Sequence, residues 1–263
     1  MTLMLLLSYL ALGAVAGTLA GLFGIGGGLV IVPALAAAFA VQNVADSVIM
    51  HLAIGTSLAT IVITGSSSAW GHYTKGNIRR DWFIMLLPGL LLGAVSGVFI
   101  ADNLSSSSLG SLFGVFLLIV AGRMVLVKKA ASATVAPRRW VMGAAGVVIG
   151  GFSALFGIGG GTLSVPWLSR CGASMTQAVG TSAACGMPIA VVGAATFIAT
   201  GWGVPDLPAG TTGYVLWPAF LAIVVTSVPF ARVGVRLASV LPAKQLKTAF
   251  AMLLLVVGMR FLF

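Results

Sequence analysis

Two glycine-rich runs are the residues of this chain best suited to bind a ligand. The run at 22–28 reads LFGIGGG, and the same letters recur at 155–161. Consecutive glycines leave backbone N–H groups uncovered, and at the start of a helix these groups and the helix dipole attract anions. Close helix packing is the alternative use of glycine, but it calls for a spacing of four rather than a run. The runs therefore predict an anion site at Gly26, Gly27, Gly28, Gly159, Gly160 and Gly161.

A Gly-Thr-Ser triplet follows each run, at 55–57 and again at 180–182. Each triplet lies near the middle of an apolar segment, at a depth of roughly 14 Å if that segment crosses a membrane as a helix. Hydroxyl groups at this depth can donate hydrogen bonds to an anion without adding a charge. They can also bond back to the carbonyl one turn earlier, which is the alternative. The candidate binding residues here are Thr56, Ser57, Thr181 and Ser182.

His51 lies just inside the third apolar segment, one turn before Gly55. It is a candidate to contact or guide the substrate, with a packing role near the membrane boundary as the alternative. The sequence contains no carboxylate pair, no Cys/His cluster with the spacing of metal ligands and no G-x-S-x-G motif. We therefore predict no enzyme activity, no metal and no cofactor.

The composition places these motifs in a membrane. Of the 263 residues 59% are apolar and 7% are charged, and the mean hydropathy is +1.14. A soluble domain carries about 25% charged residues. The lysines and arginines lie between apolar segments, as the positive-inside rule requires, rather than in a patch that would bind nucleic acid. We predict an all-α polytopic protein of the cell (inner or plasma) membrane, with the lipid bilayer as its surroundings and no nucleic acid partner.

The chain is built from an internal duplication. Ten apolar segments lie near 3–22, 25–41, 48–70, 82–101, 109–127, 140–156, 158–169, 173–200, 212–231 and 245–263. The glycine run, a proline after it and the triplet recur in the same order in both halves. The first membrane repeat spans 1–127, a basic cytoplasmic linker spans 128–139, and the second repeat spans 140–263. Five segments in each repeat give the two copies opposite orientations, so we predict inverted repeats.

The charges assign sides to this arrangement. The basic loops at 71–81, 123–139 and 232–247 are predicted inside the cell. The loops at 101–108 and 201–211 have aspartate as their only charged residue, so they are predicted outside, together with both termini. The glycine runs connect apolar segments without one polar side chain, so we expect re-entrant hairpins buried in protein. Segment 158–169 would span only about 18 Å as a helix, which is too short to cross a membrane. The predicted total is therefore about eight to ten transmembrane segments. The glycines spaced by four are predicted to serve helix packing, namely Gly13, Gly17, Gly21, Gly146 and Gly150.

In these motifs the chain resembles the TauE/SafE family of sulfite and organosulfonate transporters. The resemblance rests on GLFGIGGGLVIVPAL at 21–35, HLAIGTSLA at 51–59, HYTKGNI at 72–78 and the second-half copies ALFGIGGGTLSVPWL and AVGTSAA. It covers essentially the whole chain, and it implies transport of small sulfur-containing anions, usually out of the cytoplasm. It also implies substrate-binding roles for the glycine runs and the triplets. His51 has Thr176 as its counterpart, so the site cannot be strictly two-fold.

The leading hypothesis is a secondary transporter that exports sulfite or an organosulfonate by alternating access. An anion channel of similar inverted-repeat architecture is the alternative, and a membrane enzyme or an assembly subunit is a third interpretation. Oligomeric state is left open, with a homodimer among the options. No aspartate or glutamate lies within an apolar segment, and only His51 could carry a proton there. Export is therefore expected to be electrogenic facilitated diffusion that depends only weakly on the proton gradient.

Overall fold

A computed structural model shows a helical protein and describes residues 3–23, 27–126, 138–240 and 243–263. Ten helices lie in these ranges and confirm the predicted all-α class. In chain order they are α1 Leu3–Phe23, α2 Gly28–Val41, α3 Ile49–Thr74, α4 Arg80–Asp102, α5 Ser106–Leu126, α6 Arg139–Leu155, α7 Gly161–Arg170, α8 Met175–Thr200, α9 Trp217–Val240 and α10 Ala243–Arg260. Gly26 and most of the linker predicted at 128–139 lie outside the described residues.

The helices belong to a multi-pass membrane protein. Four of them, α3, α4, α5 and α8, are long and apolar enough to cross a membrane, and shorter apolar helices accompany them. Helices α3 and α8 have 26 residues each, which corresponds to about 39 Å. Large apolar side chains face outward, such as Leu92 at 68% exposure and Val256 at 66%. A lipid environment satisfies such side chains, whereas water would not.

The two halves of the chain interlock. Helices α3 and α8 pack against each other, α1 packs along α9, α6 packs along α4, and α5 packs against α10. Each of these pairs joins a helix before the linker to a helix after it. The buried core accordingly draws on both halves, with Leu58 and Leu90 from the first and Ile189 and Phe197 from the second.

Four of the glycines predicted to serve helix packing lie at these contacts, whereas the surroundings of Gly21 lie outside what the structure describes. A Cβ added at Gly17 would lie 2.6 Å from the Ser227 Cα in α9, and one at Gly150 would lie 2.9 Å from the Leu90 Cα in α4. Gly13 and Gly146 approach the same two helices. The absence of a side chain lets the backbones touch, which compensates for the lack of a hydrophobic driving force between helices in lipid.

Two connections differ from the prediction. The segment predicted at 212–231 begins with an antiparallel hairpin, β1 Thr211–Thr212 and β2 Val215–Leu216. Gly210 and Gly213 flank β1 with φ of 88° and 54°, values that break a helix. The loop predicted at 232–247 is wrong in large part, because α9 continues to Val240 and α10 begins at Ala243. Lysine and arginine are good helix formers, so a helix can continue beyond the apolar stretch.

Candidate functional site

Both glycine runs end in the same backbone turn ahead of a helix. Gly27 precedes α2 with φ of 75°, and Gly160 precedes α7 with φ of 76°. This left-handed conformation is strained for any residue with a side chain. Neither helix has a side-chain cap, so the first N–H groups of each helix keep their capacity to bind a ligand.

The two turns meet in the interior. A Cβ added at Gly28 would lie 2.5 Å from the Gly157 carbonyl oxygen and 2.8 Å from the Ile158 Cα. Both turns also lie beside the middle of α3, since the same Cβ would be 3.1 Å from Ile61 and a Cβ at Gly159 would be 3.2 Å from it. The structure therefore brings the predicted glycines of the two halves together.

The middle of α8 flanks the same place. A Cβ added at Gly186 would contact the Gly159 carbonyl oxygen, and a Cβ at Gly160 would lie 3.2 Å from the Ile189 side chain. Helix α3 thus contacts both glycine turns, and helix α8 contacts the second one.

The predicted serines bind these turns. The Ser57 hydroxyl, on α3, donates to the Gly157 carbonyl oxygen at 2.8 Å, across the two halves of the chain. The Ser164 hydroxyl donates to the Gly160 carbonyl oxygen at 2.7 Å and lies 2.6 Å from the Ser182 hydroxyl. Because Ser164 uses its proton on Gly160, Ser182 is the donor in the second bond. These serines fix the shape of the turns.

The predicted threonines accept hydrogen bonds from backbone N–H groups, and the two bonds occupy matching places in the two halves of the chain. The Thr56 hydroxyl oxygen accepts a hydrogen bond from the Leu216 N–H at 3.0 Å, and that of Thr181 accepts one from the Arg79 N–H at 2.9 Å. Leu216 is the residue before α9, and Arg79 is the residue before α4. Each threonine therefore anchors the connection that leads into the fourth helix of a repeat.

His51 is buried at 4% exposure and contacts a connection. Its Nε2 lies 2.9 Å from the Ala101 carbonyl oxygen, and its ring stacks on Tyr214 with centroids 5.1 Å apart. Tyr214 belongs to the turn between β1 and β2. The structure places His51 against the hairpin ahead of α9, while its Nδ1 is buried without a hydrogen-bond partner among the described residues.

Two residues near the second glycine turn were missed by the sequence analysis. Ser164 lies in α7 as described above, and Ser153 lies near the end of α6 with no exposed surface. A Cβ at Gly160 would lie 3.6 Å from the Ser153 Oγ. Alignment of the two repeats supplies a signal, because the matching residues of the first half are Ala20 and Ile31. The second glycine turn is thus the more polar one.

The electrostatics of the site come from dipoles rather than from charges. Every charged side chain that the structure describes lies within about one turn of a helix end or in a connection. The Arg79 guanidinium, ahead of α4, is one example: it donates to the Asp81 carboxylate at 2.7 Å, and this hydrogen bond raises the pKa of Arg79. In the described residues no group of three histidines, cysteines or acidic residues is arranged to hold a metal. What the site offers a ligand is N–H and O–H groups.

Comparisons with known proteins agree with a transporter. A family model described as sulfite exporter TauE/SafE matches residues 9–261. The chain is 42% identical to a protein of Haemophilus influenzae named "Probable membrane transporter protein", over 95% of each chain. It is 28% identical to the "Probable membrane transporter protein MJ0441" of Methanocaldococcus jannaschii, over 98% of this chain and 95% of that one. No solved structure matches the chain.

The family model covers nearly the whole chain, and the relatives match it along almost their full lengths. The glycine runs and the triplets lie inside the matched range. The chain is a membrane transporter and belongs to the sulfite exporter TauE/SafE family.

Proposed function

We propose that this protein exports a small sulfur-containing oxyanion, sulfite or an organosulfonate, by alternating access. The observation that carries the proposal is the meeting of the two glycine turns, Gly27 with φ of 75° and Gly160 with φ of 76°, beside the middle of α3. Two uncapped helix N-termini at one place direct positive dipole ends and N–H donors toward a single anion. A site between the repeats is also where a rocking motion of one repeat against the other would expose the anion to alternate sides.

The packing partners support a two-fold relation between the two repeats. If the second half is superimposed on the first in chain order, α6 corresponds to α1 and α9 to α4. The pair α1–α9 then corresponds to the pair α6–α4, while α3–α8 and α5–α10 each correspond to themselves. A two-fold relation between two copies produces this exchange, and the odd number of segments in each copy makes the proposed relation an inverted one. The matched anchors at Thr56 and Thr181 follow the same rule.

The lengths of the helices support re-entrant hairpins. Helix α2 has 14 residues and α7 has 10, which correspond to about 21 and 15 Å, too short to cross a hydrocarbon core of about 30 Å. The turns ahead of both helices lie beside Ile61, near the middle of the 26-residue α3, and the turn ahead of α7 also lies beside Gly186, near the middle of the 26-residue α8. A non-helical turn at that depth is tolerated where protein or a cavity surrounds it.

A cavity of about 760 Å³ supplies a route to the first turn. It follows α2 from Leu29, the residue after Gly28, to Asp46 beyond the end of the helix. Ser106 and Ser111 of α5 and Arg260 of α10 line its other side. In the predicted topology this end faces outside, so we assign the cavity to release of the anion.

The membrane potential favours the proposed direction. Moving one negative charge out of a cell with a negative interior gains about 2.3 kcal/mol per 100 mV. Coupling to protons would normally use a carboxylate or a histidine within a membrane segment. His51 is the candidate that the sequence indicates, and its contacts are with Ala101 and Tyr214 rather than with a charged group. Export therefore needs no coupled ion.

Proteoliposomes test the proposal directly. The protein is reconstituted with methanesulfonate or sulfite inside, and potassium with valinomycin sets the potential. Efflux should saturate with anion concentration, accelerate when the inside is negative, and ignore a pH gradient at zero potential; liposomes without protein are the control. A strict requirement for the pH gradient that His51→Ala abolishes would replace export with proton-coupled transport. Large unitary currents would indicate the alternative, an anion channel.

A further inference from the structure

One buried hydroxyl beside the second glycine turn has no hydrogen-bond partner in the part of the chain that the structure describes. Ser153 is 0% exposed, and its Oγ makes no hydrogen bond among the described residues. This oxygen faces the N-terminus of α7, since it would lie 3.6 Å from a Cβ added at Gly160. A buried hydroxyl without a partner costs free energy, so a protein that keeps one commonly uses it on a ligand or a water.

The neighbouring serine hydroxyls already donate hydrogen bonds within the protein. The protons of Ser57, Ser164 and Ser182 go to Gly157, Gly160 and Ser164 respectively. Thr162, in the first turn of α7, resembles Ser153 in that its Oγ1 is buried without a partner among the described residues. The uncommitted donors near this turn are therefore the Ser153 and Thr162 hydroxyls and the first N–H groups of α7.

We propose that Ser153 binds the transported anion, together with the N-terminal turn of α7, and that this half of the site selects monovalent oxyanions. The inference rests on the proposed function and assigns a donor and a substrate class to the same site. A sulfonate or hydrogen sulfite group presents several oxygens, which O–H and N–H donors from Ser153, Thr162 and the helix end can share. The first half has no equivalent, because Ala20 stands at the matching position.

The preference for one negative charge follows from the surroundings. The side chains nearest to Gly159 and Gly160 include Ile61, Ile189 and the Ser153 and Ser164 hydroxyls. The charged side chains that the structure describes lie near helix ends or in connections. Burying an ion away from a counter-charge is costly, and that cost rises with the square of the charge. Dipoles and neutral donors can offset it for a monoanion far better than for a dianion.

Replacing Ser153 tests the first part. We expect Ser153→Ala to raise the Kd for methanesulfonate, measured calorimetrically on the full-length protein in detergent, by about 10- to 100-fold, the effect of losing a hydrogen bond to a charged group. Because the lost hydroxyl has no hydrogen-bond partner among the residues described, the melting temperature without anion should stay the same or rise. Ser227→Ala is the matched control: Ser227 is 2% exposed and faces a carbonyl of its own helix α9, and its loss should leave the Kd unchanged.

The outcomes separate this inference from the proposed function. If the wild-type protein binds methanesulfonate and Ser153→Ala binds it with the same Kd, the role of Ser153 is overturned and the transporter assignment stands. If the wild-type protein binds neither methanesulfonate nor sulfite, the proposed function fails and the inference fails with it. The charge preference is tested with methanesulfonate, a monoanion, and sulfate, a dianion. Methanesulfonate should bind at least tenfold more tightly than sulfate at equal ionic strength. Equal or tighter binding of sulfate overturns that preference.

Discussion

Gly27 and Gly160 are constrained by their backbone as well as by their surroundings. Both have φ near 75° and both are buried. A residue with a Cβ costs about 1–2 kcal/mol in this conformation. At Gly160 the added atom would also press on Ile189, 3.2 Å away.

We therefore expect Gly160→Ala to lower thermal stability, by an amount equivalent to about 1–3 kcal/mol when the strain and the crowding are combined. The melting temperature of the purified protein in detergent measures the effect. Gly143→Ala is the control: Gly143 lies in α6, and a Cβ there would meet nothing within 4 Å. Alanine should be neutral or slightly stabilising at that helical position. Equal losses in the two variants would contradict the role of the left-handed turn.

The threonines of the two triplets allow a second substitution at the same scale. Thr56→Val removes the acceptor of the buried Leu216 N–H, and Thr181→Val removes that of the Arg79 N–H. An unpaired N–H costs about 1–3 kcal/mol where it is buried, as at Leu216, and less at Arg79, which is half-buried. Both variants should melt at a lower temperature without any anion present, whereas Thr56→Ser and Thr181→Ser, which keep the oxygen, should lose less. If the valine variants keep full stability but bind the anion more weakly, the hydroxyls act on the substrate instead.

At the scale of helices, rows of glycines at a spacing of four, here called glycine ladders, hold the two halves together. Gly13 and Gly17 of α1 face α9, and Gly146 and Gly150 of α6 face α4. Helix α4 contributes its own ladder at Gly89, Gly93 and Gly97, which contacts the backbone of α6. Because lipid is as apolar as the side chains, the close fit of backbones is what makes these pairs stable.

A large residue in a ladder should separate its two helices. Gly17→Ile places a branched side chain where even a Cβ would lie 2.6 Å from the Ser227 Cα. We expect a loss of stability of at least about 1–3 kcal/mol, the cost of overpacking, and a marked fall in monodisperse yield on size-exclusion chromatography. Gly122→Ile, in α5, is the control because a Cβ there would meet nothing within 4 Å. Similar yields of the two proteins would show that α1 and α9 tolerate separation.

For the whole molecule, the decisive question is whether the two halves have opposite orientations. The connections at 71–81 and 201–211 occupy corresponding places in the two repeats. A parallel duplication would put them on one side of the membrane, whereas inverted repeats put them on opposite sides. Their charges differ as the second arrangement requires, with Lys75, Arg79 and Arg80 in the first and only Asp206 in the second.

Cysteine labelling in intact cells distinguishes these arrangements. Lys75 and Ala209 are both exposed, and the two native cysteines, Cys171 and Cys185, are free thiols that can be replaced first. A membrane-impermeant maleimide should label Ala209→Cys from outside and leave Lys75→Cys unlabelled until the membrane is opened. Labelling of both positions from the same side would rule out inverted repeats.

The local pattern of residues in the sequence was sufficient to predict most of the helices and their packing faces. Runs of apolar residues predicted the ten helices to within a few residues, except where Gly210 and Gly213 introduce a hairpin and where α9 continues through a basic stretch. Glycines at a spacing of four identified the packing faces, because that spacing repeats along one side of a helix. The runs at 22–28 and 155–161 identified the turns, since only glycine accepts the left-handed backbone without strain.

Tertiary structure alone decided what the polar side chains of the site contact. The sequence treats Thr56 and Ser57 as one pair of hydroxyls, yet Thr56 bonds to Leu216 and Ser57 to Gly157. Ser153 carries no local signal, and its importance depends on facing Gly160 while lacking a partner. A hydrogen bond between residues far apart in the chain depends on which helices pack together. Each helix has several apolar faces that lipid and protein would satisfy almost equally, so its own sequence does not select the partner.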